Sequence, residues 1–202
     1  YQIGVILGHS SKSTRSGVLY QKGSEPTILD SRQMTIDQIK GHLKTKIKYP
    51  KTDGYGDGGE TGLYSLNKAL TKNYEDIQTK GFFREDAATV VIFVADENDI
   101  CAKHPDGVTP VPDPQGAEDR TYRLDCVREA HPREVATGKF KEGEHIRTIT
   151  PDSVLENLQD RVGSRPLIVG GVVYNNPATI PLTGENELGY GYLETIEKVG
   201  YE

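Results

Sequence analysis

Two uninterrupted apolar runs constrain this chain more than any other feature: Ala88 to Ala95 (ATVVIFVA) and Leu167 to Tyr174 (LIVGGVVY). Both are rich in β-branched residues, and neither alternates apolar with polar side chains. A strand with one wetted face alternates, whereas a strand covered on both faces has no reason to. The runs therefore predict central strands of a parallel sheet. Around them lie segments of helical periodicity. Thr35 to Gln38 (TIDQ) has the form of a capping box, and Ile36, Ile39, Leu43 and Ile47 recur at near-helical spacing. Leu63, Leu66 and Leu70 make a second stripe. Thr150 and Pro151 suit the N-cap and first turn of a third helix, with Val154, Leu155, Leu158 and Val162 as its stripe and Gly163 as its stop. Tyr192 to Val199 predicts a last helix. Gln2 to Leu7, Gly17 to Gln21 and Thr27 to Leu29 read as shorter strands. Helices alternating with apolar strands predict an α/β fold: a doubly wound, mostly parallel central sheet with helices on both faces.

With 202 residues the chain is expected to form a single domain, 1–202, large enough to bury a core of its own. A net charge of -6 argues against a nucleic-acid partner, which needs a concentrated basic surface. The lysines from Lys40 to Lys51 are interleaved with Leu43 and Ile47 and read as a solvated helix face with its exit loop. No apolar run approaches the ~20 residues that cross a membrane, and no signal peptide is present. Tyr1 runs straight into an apolar strand, as expected of a domain cut from a longer protein. The stretch from about 101 to 145 is rich in Pro and weak in periodicity and reads as an insertion, with a short helix expected near Tyr122 to Glu129. Cys101 and Cys126 bracket much of it. Their spacing is wrong for a CxxC redox or zinc motif, and an even count around such a loop points to a disulfide, with free thiols as the alternative.

The chemistry concentrates where the first apolar run ends, in Asp96-Glu-Asn-Asp99. In open parallel sheets, ligands bind beyond the carboxyl ends of the strands. Three carboxylates in four residues repel one another unless a cation or solvent relieves them, and oxygen ligands of this kind suit Mg²⁺ or Ca²⁺. A solvated acidic turn remains the alternative. A glycine-rich segment, Gly54 to Gly59 (GYGDGG), precedes Glu60-Thr61-Gly62 and a helix. It is neither a Walker A loop nor a dinucleotide fingerprint. It serves either as a tight turn capped by Glu60 or Thr61, or as a close approach to the acidic turn. The histidines His9, His42, His104, His131 and His145 are scattered; His104 and His131 flank the insertion. No GxSxG or HExxH is present. Tyr55, Tyr64, Tyr174, Tyr190 and Tyr192, near element ends, are candidate interface anchors.

Taken in order, Gln2-Ile-Gly-Val5, Gly58-Gly-Glu-Thr-Gly-Leu63, Gly81-Phe-Phe-Arg-Glu-Asp-Ala87 and Val91-Ile-Phe-Val-Ala-Asp-Glu-Asn-Asp99 resemble von Willebrand factor A-like domains, most of all exported, often lipid-anchored bacterial ones. The resemblance covers about 1–100 and 145–200. It implies a Rossmann-like fold and a metal-ion-dependent adhesion site built from an Asp-x-Ser-x-Ser turn, a Thr before a helix and an Asp after the central strand. Asp96 matches the third part. Glu60, with Thr61 beside it, stands at the second. His9-Ser-Ser11-Lys-Ser13 only mimics the first, and Gln2 to Leu7 aligns better with the family's second strand. The family's N-terminal strand and helix are therefore expected to be missing. The metal set that follows is Asp96, Glu60, Thr61 and Asp99, holding Mg²⁺ or Ca²⁺.

The functional expectation is a ligand- or adhesion-type module that binds a protein or cell-surface ligand and is not an enzyme. The location implied is exported: periplasm, outer-membrane-anchored or bacterial cell surface. The alternatives are a structural or assembly domain with a degenerate metal site, or a metal-assisted hydrolase using the same carboxylates.

Overall fold

The structure, a computed structural model, describes residues 1–9, 13–48, 61–108, 126–181 and 187–200. The first apolar run forms β3 (Thr89–Val94) and the second forms β6 (Leu167–Val172); β1 and β2 are Gln2–Ile3 and Leu29–Asp30. β3 and β6 pair in parallel, from Thr89 opposite Leu167 to Val94 opposite Val172. Parallel neighbours require a long crossover. Here it runs through β4 (Val127–Glu129), a short helix α4 (Pro132–Ala136), β5 (His145–Arg147) and the longer helix α5 (Pro151–Val162). The fold is thus mixed α/β with a small two-stranded parallel sheet.

Its inner layer is helical. α6 (Tyr192–Val199) packs on β6 and on α5, and α2 (Gly62–Leu70) packs on α5 and on α3 (Tyr74–Thr79). The odd-numbered face of β3 turns inward: Phe93 meets the ring of Tyr192 at 5.0 Å, in a core with Leu63, Leu66, Leu70, Val154, Leu155, Leu158 and Val169. The even-numbered face is bare. Val90, Ile92 and Val94 on β3 and Ile168 and Val172 on β6 are 55–69% exposed. The expectation of helices on both faces of this sheet is not met among the described residues; one face is covered. An uninterrupted apolar run cannot reveal this, because it has no polar positions to mark a wet side. Replacing Val90 by Thr, nearly isosteric, is therefore expected to change the unfolding free energy by under about 0.5 kcal/mol in dilute solution. A chemical-denaturation loss above about 1 kcal/mol would place a second layer of the same chain against this face.

The local helix signals are realised. Thr35 caps α1 (Ile36–Ile47), its hydroxyl accepting from the Gln38 N–H while the Gln38 side chain accepts from the Thr35 N–H. Thr150 caps α5, Pro151 opens it, and Gly163 closes it at φ +63°. Other expectations are corrected. Gln2 to Leu7 holds only a two-residue strand, antiparallel to β2, plus a single bridge from Leu7 to Ser16. Gly17 to Gln21 forms no strand, and the Thr27 to Leu29 strand lies at Leu29–Asp30. Of the helix expected at Tyr122 to Glu129, 122–125 lie outside the described residues and Val127–Glu129 is strand, antiparallel to β5. Lys46, placed by sequence on a solvated face, is fully buried, its ammonium donating to the Tyr20 carbonyl at 2.5 Å. No described helix is long and apolar enough to cross a membrane.

Candidate functional site

At the carboxyl end of β3 the chain turns through Asp96 to Ile100 and meets the N-termini of two helices. The acidic residues of that turn divide sharply. Asp96 is exposed, whereas Asp99 is wholly buried. One Asp99 carboxylate oxygen accepts from the Leu63 N–H at 2.6 Å, at the start of α2, and the other from the Cys101 N–H at 2.8 Å. Its own N–H donates to the Tyr190 carbonyl, and its carbonyl accepts from Ala102. The first N–H groups of a helix have no partner within it and carry its positive dipole end. Asp99 meets that need for α2, and the Tyr192 hydroxyl accepts from the Gly62 N–H at 3.0 Å beside it. Burial pushes the Asp99 carboxyl up to about 6, an effect the N–H donors of Cys101 and Leu63 partly offset.

Residues 187–192 strap this end of the sheet. The Glu187 N–H donates to the Asp96 carbonyl at 2.9 Å, and the Glu187 carboxylate accepts from the Asn98 amide. Gly191, the N-cap of α6, has φ +87°, and a Cβ there would lie 2.6 Å from that of Ala102 and 2.8 Å from Leu63 Cδ1. Only glycine permits that approach.

Among the described residues, two polar atoms at this convergence are buried without a partner: Thr61 Oγ1, at the N-cap of α2, and Asn98 Oδ1. Thr61 is fully buried and its hydroxyl does not cap the helix. Leaving a hydroxyl in this condition costs about 1–3 kcal/mol.

Of the four metal candidates, then, Asp96 is exposed at the strand end, Thr61 is an orphaned hydroxyl, and Asp99 has both oxygens engaged by backbone N–H groups. Glu60, with the glycine-rich segment before it, lies outside the described residues. Among the described residues there is no group of three or more His, Cys, Asp or Glu placed to hold a metal ion. His9 and Ser13 are hydrogen-bonded, Nδ1 to Oγ, at 2.8 Å, and the His9 carbonyl accepts from Ser65 of α2. The His9 turn therefore abuts the helix that Thr61 begins. Asn98, Glu187 and Gly191 were not singled out by sequence; Gly189-Tyr-Gly191 before a helical stripe was the available signal. Tyr192, read as an interface candidate, is buried in the core.

Cys101 and Cys126 are joined by a disulfide. Beyond it, His104 is buried between the Arg147 guanidinium and the Tyr190 ring, 5.4 Å away, and desolvation, with the Arg147 charge, depresses it to about 4.

No family model, no curated protein and no solved structure matches the chain.

Proposed function

We propose that this chain is a protein-binding module, not an enzyme, whose ligand engages the carboxyl end of β3 where α2 and α6 converge. The observation that carries this reading is the orphaned hydroxyl of Thr61 beside the turn that Asp99 holds. A buried hydroxyl left unpaired at a helix N-terminus is a cost that an external ligand or ion can relieve. The available donors are all oxygen, which suits Mg²⁺ or Ca²⁺ over Zn²⁺. Asp96 and Thr61 would hold the ion, with Glu60 as a further carboxylate. Asp99 would act through its backbone contacts, fixing α2 so that Thr61 stays in place. Such a site is the one implied by the resemblance to von Willebrand factor A-like domains, and export to a bacterial surface goes with it. The disulfide agrees with an oxidising compartment.

The finer fold of this reading, a doubly wound sheet, requires a second layer over Val90, Ile92 and Val94. That bare face favours a second reading, an assembly domain whose metal site is degenerate. The third alternative, a metal-assisted hydrolase, would use the same carboxylates, and the sequence carries no GxSxG or HExxH motif to support it.

Titration calorimetry with Mg²⁺ and Ca²⁺ separates the first two readings. Binding by the wild-type chain that Asp96→Ala abolishes is expected. Heat of binding that survives Asp96→Ala would remove the site from this turn.

A further inference from the structure

We infer that the bare face of the β3–β6 pair is an interface and that its occupant is a second copy of this chain. Parallel register sets Val90 beside Ile168, Ile92 beside Gly170 and Val94 beside Val172. With a side-chain period of two, all six lie on one face. Five carry branched apolar side chains that are 55–69% exposed. The sixth is glycine, and a Cβ built there meets nothing within 4 Å. The face therefore has a knob, Ile92 at 65% exposure, directly beside a notch at Gly170. That arrangement is self-complementary. A two-fold axis parallel to the strands, lying midway between the two facing sheets and over the line between β3 and β6, lays each Ile92 into the Gly170 notch of the other copy.

The area and the charge agree. Five side chains exposed to this degree present on the order of 500 Å² of apolar surface, at the upper end of what a monomer leaves open. Buried on both copies, that amounts to about the 1,000 Å² a specific interface needs. Neither Thr89–Val94 nor Leu167–Val172 contains a charged residue, so two copies of the face meet without like-charge repulsion. Two sheets packed this way, ~10 Å apart, form a two-layer sandwich. This inference stands on packing alone and is independent of any ion at the strand end.

Sedimentation equilibrium of the 202-residue chain over concentrations from roughly micromolar to hundreds of micromolar tests it, a range suited to an interface of about 1,000 Å², which belongs to the small, weakly associating class. A monomer–dimer equilibrium is expected. Ile92→Lys should raise the dissociation constant by about 100-fold or more and Gly170→Leu, which fills the notch, by about 10-fold. Circular dichroism and thermal melts of Ile92→Lys at low concentration should match wild type, because its side chain faces solvent in the single copy. A chain that stays monomeric throughout the range overturns the inference, and so does a dimer indifferent to both substitutions.

Discussion

Reducing the bond between Cys101 and Cys126 is expected to lower the unfolding free energy by about 3 kcal/mol. The two residues are 25 apart in sequence, and closing a loop of that size removes conformations mainly from the unfolded chain. The folded side of the balance adds to this. Both cysteines are 1% exposed and belong to the main core, beside Ala102, Val127 and Ile149. The bridge also ties the turn after Asp99 to the strand β4, and Lys103 donates to the Ile149 carbonyl from the same region. Urea titrations with and without a thiol reductant, read by circular dichroism, give the difference directly. Cys101→Ala with Cys126→Ala should reproduce the reduced midpoint. A shift below about 1 kcal/mol would mean that the unfolded chain is already restricted by other means.

The second large effect is a cancellation that two substitutions expose. The Asp99 carboxyl is raised from an ordinary 3.8 to about 6, so between those values the folded chain holds a proton that the unfolded chain has lost. Its contribution is therefore most favourable near pH 4 and is lost as pH rises through 6. His104 works in the opposite sense. It is lowered from 6.5 to about 4, so over that interval the unfolded chain binds the extra proton, and stability rises with pH. At about 1.36 kcal/mol per pH unit, each contribution is on the order of 3 kcal/mol. The wild-type profile from pH 4 to 6.5 is thus expected to be nearly flat. In Asp99→Asn only His104 remains, and stability should climb with pH; in His104→Gln only Asp99 remains, and it should fall. Denaturation midpoints at half-unit pH steps, with a chelator present so that no cation contributes, decide the matter. Parallel profiles for all three proteins would contradict the burial of these two groups. Below pH 4 all three should lose stability, because Arg32 holds Asp30, and Arg128 holds Glu134, under the ordinary carboxylate range.

What was legible in the sequence is what local chemistry decides. Thr35 with Gln38, and Thr150 with Pro151 and Gly163, specify helix ends within four residues or close to them, and they appear as expected. The two apolar runs marked the segments that form the parallel strands, but that they pair with each other is not encoded in either run. They did not show which faces are covered, since coverage is a property of neighbours. The helix α3 has no sequence signature, because six residues with one buried apolar side chain, Ile77, carry almost no periodicity. The site was legible only as a region. Asp96 and Asp99 are indistinguishable by residue type, and the turn alone sends one outward and the other beneath α2. Asn98, Glu187 and Gly191 belong to the site through contacts spanning about ninety residues or more, which no local pattern encodes.

The central claim, that a ligand is received where the end of β3 meets the N-termini of α2 and α6, is tested most directly by amide chemical shifts. A ¹⁵N-labelled chain titrated with Mg²⁺, and separately with Ca²⁺, should show its largest shifts at Thr61 to Tyr64, Asp96 to Cys101 and Glu187 to Tyr192. The same titration of Asp96→Ala should leave those amides still. Saturable shifts confined to other acidic surfaces, or no shifts at Thr61 and Asp96 in the wild-type chain, would contradict the account.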